Sequence, residues 1–355
     1  MQGNLSSLQI LRAIAATSVV YYHIALPAEA GAIPRFGSFG VDVFFVISGF
    51  VMALVVAKGQ LPAAFAINRI TRIAPFYWLL TTGILILALT EPQLLLTTTA
   101  SLRNYLKSIF FIPYFKESGE LQPMLVVGWT LNYEMFFYLC IWLSILASRK
   151  HYALLTLVLL IVTYIGFGKL SGNDVLERFF GRLIIFEFTF GMLAYHIYKR
   201  GVLKRLGNKV LLLIAVSSYA FMAFAETKAL PVDRALLFGL PSLALILSAT
   251  AVESLRLLNW IPRGDAFSAI GDASYATYLS HFYVVEGLRR LVFPRLPFLD
   301  PYTPLGVLII VGASLAVGQI LYSFCDKPLS NFFRNKLLAA RQVPERAWVA
   351  RRGPS

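Results

Sequence analysis

Arg12 and His23 lie 11 positions apart in one apolar run. At 100° per residue that spacing puts them within about 20° of one helical face and ~16 Å apart along its axis. One face of one helix then carries a fixed cation at one end and a titratable base towards the other. That is what holding an anionic donor and abstracting a proton would require. The structural alternative is an arginine that snorkels to the interface and a satisfied core histidine. The next apolar run opens Gly40-Val41-Asp42-Val43-Phe44-Phe45-Val46-Ile47-Ser48-Gly49-Phe50. A carboxylate beside an imidazole fixes its tautomer and raises its basicity, so Asp42 is a candidate to orient His23. Alternatively it pairs with an arginine and holds the helices together. Ser48 and Gly49 are the small residues that let helices approach closely.

Three further segments carry ionisable groups where an apolar chain should have none. Arg69 and Arg72, just before a third run, are three apart and share a helix face. Paired guanidiniums suit phosphate, because their planar forks donate two hydrogen bonds at once; juxtamembrane lipid anchoring is the alternative. Glu134 follows Gly128-Trp129-Thr130-Leu131-Asn132-Tyr133, and is either a second carboxylate of a site or an arginine's structural partner. His281 ends Ser274-Tyr275-Ala276-Thr277-Tyr278-Leu279-Ser280-His281 in mid-run. His151 and His196 fall at run ends and read as incidental. Cys140 and Cys325 sit singly in apolar runs with no metal-ligand spacing. There is no GxSxG elbow, P-loop or HExxH, and nothing in the sequence argues for a metal.

The elements that position these residues are membrane helices. The chain of 355 residues is 58% hydrophobic and 14% charged, against ~45–50% and ~25% in soluble domains, and its mean hydropathy is +0.69. Lipid must cover that apolar excess, so the expected fold is all-α: a polytopic helical bundle, not a soluble domain. Ten runs approach the ~20 residues that a crossing needs: Leu8–Pro27, Phe39–Ala57, Ile73–Thr90, Val126–Ala147, Tyr152–Lys169, Gly181–Lys199, Val210–Ala225, Ala235–Val252, Ala269–Arg290 and Pro304–Phe324. The Ile109–Phe115 stretch is too short to cross and reads as interfacial or re-entrant. The net charge of +14 is spread as short Lys/Arg clusters between runs, the pattern of the positive-inside rule. It argues for anionic lipid headgroups rather than nucleic acid as partner. With the N-terminus inside, more of the 32 basic residues fall inside than outside, which puts both termini in the cytoplasm. Residues 1–328 then form the membrane domain and 329–355 a basic cytoplasmic tail.

Taken in order, these segments resemble acyltransferase family 3, a family of multi-pass membrane O-acyltransferases. The carriers are Leu11-Arg12 through His23, Gly40 through Phe50, Arg69-Ile70-Thr71-Arg72, Trp129-Thr130-Leu131 with Glu134 and Tyr138, and Ser274-Tyr275 through His281. Asp326-Lys327-Pro328 stands where the family has Glu-Lys/Arg-Pro. The first two signatures look closest to bacterial exopolysaccharide-production members. The resemblance implies a bacterial inner-membrane enzyme with a cytoplasmic acyl-CoA donor, acetyl-CoA above all. The acceptor implied is a hydroxyl of a glycan or lipid-linked saccharide, reached from the outer side. Arg69 and Arg72 would hold the CoA phosphates with Arg12 in support. His23 would be the essential histidine, with Asp42, Glu134 and His281 completing the site. A multi-pass transporter or flippase would use buried polar groups at two depths as well, but no inverted repeat with broken spans is visible. A purely structural scaffold does not explain the buried charge.

Overall fold

The computed structural model describes residues 5–26, 33–95, 97–254, 266–296 and 298–340. Expectations placed on the remaining positions, among them Arg256, Arg263 and the tail arginines from Arg341 onward, lie outside the described residues. Within them the chain is helical, with no strand beyond a single antiparallel bridge between Phe115 and Leu121. The helices are α1 (Ser6–Ala25), α2 (Gly40–Ala57), α3 (Pro62–Thr90), α4 (Leu102–Ile109), α5 (Trp129–Ala147), α6 (Tyr152–Gly166) and α7 (Asp174–Phe180). They continue with α8 (Glu187–Arg200), α9 (Asn208–Thr227), α10 (Leu240–Ser254), α11 (Ala266–Gly287), α12 (Pro304–Leu321) and α13 (Lys327–Ala340). The face on which α1 begins is called proximal below, and the opposite one distal.

Among the described residues six helices are long and apolar enough to cross a membrane, and seven if the pair Asp174–Phe180 and Leu183–Arg200, bent by 47°, is one span. The polar residues that make α1 and α11 interesting also dilute their apolar character. Helix α6, at 15 residues, is only ~22 Å long, short of a ~30 Å hydrocarbon core. Burial separates centre from rim: the apolar window of α2 is 72% buried, that of α9 only 17%. Helix α2 packs along α8, α1 along α11, and α11 along α12. The α2–α8 approach is close because both contact positions are glycine. A Cβ on Gly49 would sit 1.9 Å from the Phe188 carbonyl oxygen, and one on Gly191 2.0 Å from that of Val46.

Helix α3 begins at Pro62, well before the expected start at Ile73, and runs for 29 residues. Proline is favoured in a first turn, and no breaker intervenes. Arg69 and Arg72 are therefore inside the helix rather than ahead of it. Pro75 lies within it, and beside that position the Tyr275 O–H donates to the Ile73 carbonyl at 2.8 Å. The segment expected to be interfacial packs against the middle of α3: Trp78 Nε1 donates to the Ile109 carbonyl at 2.8 Å and Phe111 stacks on Tyr77 at 5.0 Å. At the other end of the chain, α12 passes through a π-helical turn at Tyr322–Asp326 into α13, which packs along α3.

Candidate active site

A cavity of about 140 Å³ lies between α1, α2, α3, α5 and α11. It collects Arg12, Arg69, Arg72 and Glu134, together with Ser48, Tyr138, Tyr275 and Tyr278. All five sequence segments thus contribute a charged or hydroxyl side chain to one interior space. Glu134 is held by two donors, Ser48 Oγ at 3.0 Å and the Tyr138 hydroxyl. Ser48 therefore does more than permit packing, as its size alone suggested. Arg72 reaches Asp326 at 2.8 Å and lies over the Tyr275 ring at 4.9 Å. Arg69 lies 6.0 Å from the Tyr138 ring centre, and its buried Nε has no partner. Arg12 is in no ion pair among the described residues. Three guanidiniums line the space with one carboxylate and Arg72 is paired with Asp326, so the lining keeps an excess of positive charge, which would suit an anion.

On the proximal side a larger cavity of about 370 Å³ shares Arg12, Arg72, Ile47 and Val51 with the first, and adds Lys58, Asp272, Lys327 and Arg334. Lys327 and Arg334 belong to α13, so part of what the sequence presented as a basic tail is the wall of this vestibule. Basic side chains thus line the way from the proximal face to the middle of the bundle.

The two histidines lie just beyond Tyr278 from the arginine cavity. Tyr278 lines that cavity, and its ring is 5.7 Å from the ring of His281. The His281 Nε2 and His23 Nδ1 atoms are 3.1 Å apart. The tautomers follow from the acceptors. A carbonyl can only accept, so His281 Nδ1, 2.6 Å from the Tyr278 oxygen, carries the proton and donates it there. By the same argument His23 Nδ1, 3.0 Å from the Val19 oxygen, carries its proton, shared with the His281 Nε2 lone pair. His23 Nε2 is then left with a lone pair, on a half-buried ring that packs against Phe282 at 5.6 Å. A positioned imidazole with a free nitrogen has the geometry that a general base needs.

Asp42 does not sit beside His23. It is fully buried and accepts two bonds from Arg234, Nη2 at 2.6 Å and Nε at 3.0 Å, while Arg234 also donates to Ser38. The orienting contact on His23 comes from His281 instead. The physical reason is competition: a bidentate guanidinium offers a carboxylate more than one imidazole can. Glu187, also fully buried, faces the same pair. Neither Arg234 nor Glu187 stood out in the sequence. Arg234 reads as a loop residue, and Glu187 lies inside the apolar run Gly181–Lys199, where the rule that buried carboxylates are functional or paired should have flagged it. His151 and His196 remain peripheral, near Ser148 and Tyr152. Among the described residues no cluster of three or more metal-ligating side chains occurs.

A family profile described as an acyltransferase domain matches residues 5–323. The exopolysaccharide production protein ExoZ of Rhizobium meliloti is 33% identical over 304 residues, covering 82% of this chain and 89% of that protein. The acyltransferase MdmB of Streptomyces mycarofaciens is 25% identical over 362 aligned positions, covering 91% of each. No solved structure matches. With the profile spanning nearly the whole helical bundle and the arginine cavity and histidine pair inside it, this chain belongs to acyltransferase family 3 and is an acyltransferase.

Proposed function

We propose that the protein is a transmembrane O-acetyltransferase of a bacterial plasma membrane. It takes an acetyl group from acetyl-CoA on the cytoplasmic, proximal side and delivers it to a hydroxyl of an exopolysaccharide or its lipid-linked precursor from the distal side. The observation that carries this reading is the sequence of sites along one path. A basic vestibule leads to an arginine cavity, and the histidine pair follows it. The polyanionic part of CoA suits the vestibule, and the arginines draw the thioester arm inward. Both termini are then cytoplasmic, and ten crossings are counted when the short and polar helices are included. The exopolysaccharide named for the Rhizobium relative supplies the acceptor class.

The residues divide the work as follows. His23 Nε2 takes the proton of the acceptor hydroxyl as its oxygen bonds to the thioester carbonyl carbon. The carbon–sulfur bond then breaks, and the proton passes from His23 to the departing sulfur, giving ester and free CoA. His281 holds His23 in the tautomer that leaves Nε2 unprotonated. Glu134, anchored by Ser48 and Tyr138, balances the charge of Arg12 and Arg69. General-base assistance of this kind is worth ~10²–10⁴ in rate.

The test is transfer of radiolabelled acetyl from acetyl-CoA to cell-envelope glycan by the purified protein. Label in glycan from wild type, absent with an Arg69→Ala/Arg72→Ala variant, is the expected result. Folded protein that transfers nothing, yet drives gradient-dependent solute flux in proteoliposomes without CoA, would replace the enzyme by a transporter.

A further inference from the structure

A separate cavity of about 210 Å³ opens at the distal face. Its lining joins Trp129 and Tyr133 of α5 with Arg178, Arg182, Glu120 and Gln122. Trp129 and Tyr133 lie about 100° round the helix from Thr130 and Glu134, so this space is beside the arginine cavity and not part of it. Its frame is rigid. Tyr133 stacks on Phe179 at 4.0 Å and donates to the Phe179 carbonyl at 2.7 Å. The opposite side is a tight hairpin, closed by the Phe115–Leu121 bridge and by the Lys116 N–H donating to the Glu120 carbonyl at 2.9 Å. Gly119 turns it with φ +79°, a conformation glycine adopts without strain.

Arg178 lies over the Phe115 ring at 5.4 Å, and neither Arg178 nor Arg182 is in an ion pair among the described residues. Both are exposed at the distal face. A half-buried indole, two planar guanidiniums, a carboxylate and an amide around one cavity match a particular ligand. The indole face takes the apolar face of a pyranose, Glu120 and Gln122 bond hydroxyls, and the guanidiniums grip an acidic substituent bidentately.

We infer that this cavity is a subsite for an anionic sugar of the acceptor glycan, removed by at least one residue from the hydroxyl that is acetylated. The inference rests on the acetyltransferase reading and its orientation, and it narrows the acceptor to an acidic glycan. The anion is a carboxylate on a sugar or a phosphate linked to one, and both present a pair of anionic oxygens to a guanidinium fork.

The experiment is calorimetric titration of the full-length protein in nanodiscs with three probes: a neutral cello-tetrasaccharide, a tetragalacturonate and glucose 1-phosphate. Wild type is expected to bind at least one acidic probe about tenfold or more tightly than the neutral one. Arg178→Ala/Arg182→Ala should abolish that preference, while Arg178→Lys/Arg182→Lys retains part of it. Preference for the uronate assigns a carboxylate, and preference for the sugar phosphate assigns a phosphate. Unchanged melting temperature and acetyl-CoA binding show that the alanine variant is folded. Equal binding of acidic and neutral probes by wild type, or an undiminished preference in the folded alanine variant, overturns the subsite. Because binding is read without transfer, selective binding with no acetyl transfer would sink the enzyme reading alone. Transfer without selectivity would sink the subsite alone.

Discussion

Two carboxylates of the bundle interior, the fully buried Asp42 and the half-buried Glu134, began as equivalent candidates and ended in different surroundings. Asp42 is consumed: Arg234 grips it with two nitrogens, Ser38 completes the guanidinium, and it does not line the arginine cavity. Glu134 is held by hydroxyls only and faces a cavity that contains more arginine than carboxylate. The first arrangement is closed, with its charge neutralised inside the protein. The second leaves cationic capacity for something that is not protein. Burial alone marks a charge as costly; whether its partner is internal or external separates scaffold from site.

The largest effect expected on the open side is from His23→Ala, which should lower kcat for acetyl transfer by ~10²–10⁴ while leaving the melting temperature near that of wild type. Full transfer by the folded variant would remove His23 as the base. On the closed side, Asp42→Ala removes the bidentate partner of Arg234 and should cost ~3 kcal/mol or more of stability. Asp42→Leu/Glu187→Gln/Arg234→Met, which removes every ionisable group of the cluster, should recover most of it. Activity per folded molecule should survive in the triple variant, and its loss there would move the cluster from scaffold to site.

Arg69 and Arg72 sharpen the contrast within one helix turn. Arg69→Ala removes a guanidinium with an unpartnered buried nitrogen, so KM for acetyl-CoA should rise ~10-fold or more with little loss of stability. Arg72→Ala should raise KM too, but also lower the melting temperature, because it orphans the buried carboxylate of Asp326. Equal stability losses for the two would show that both are struts.

The smallest effect lies in the distal loop. Lys116 is buried there, donates to Thr98 Oγ1 at 2.6 Å, and is pushed down by burial from 10.5 to about 8. Between about pH 8 and pH 10.5 the unfolded chain still holds a proton that the folded chain has released. Stability should therefore rise with pH across that window and be flat below it. Lys116→Met should abolish the rise, which amide exchange of the loop in nanodiscs would report. A wild-type loop whose exchange protection falls over that window would contradict the assignment.

Much of this was legible in the sequence because it is local. Apolar runs mark helices, and the five segments carry the charged residues that meet in the interior. What was not legible is pairing at long range. His23 and His281 are 258 positions apart, Asp42 and Arg234 192; no periodicity reports such contacts. Asp42 and His23 looked like partners because both were expected at similar depth on consecutive helices, yet depth does not fix which way a side chain turns. The early start of α3 was hidden for another reason. Asn68, Arg69 and Arg72 interrupt its apolar residues, so the run reads as starting only at Ile73, although Pro62 is a good first-turn residue. The wall that α13 contributes to the vestibule was masked by its own charge, which looked like a solvated tail.

The central claim is that donor and acceptor meet from opposite faces, and sided proteoliposomes test it most directly. With the protein inserted in one known orientation, acetyl-CoA is supplied to one face only and glycan acceptor to the other. Acetylation is predicted when acetyl-CoA meets the face bearing Lys58, Lys327 and Arg334 and glycan the opposite one, with none in the reverse arrangement. Transfer only when acetyl-CoA is given to the distal face, or only when both substrates share one face, would contradict the account.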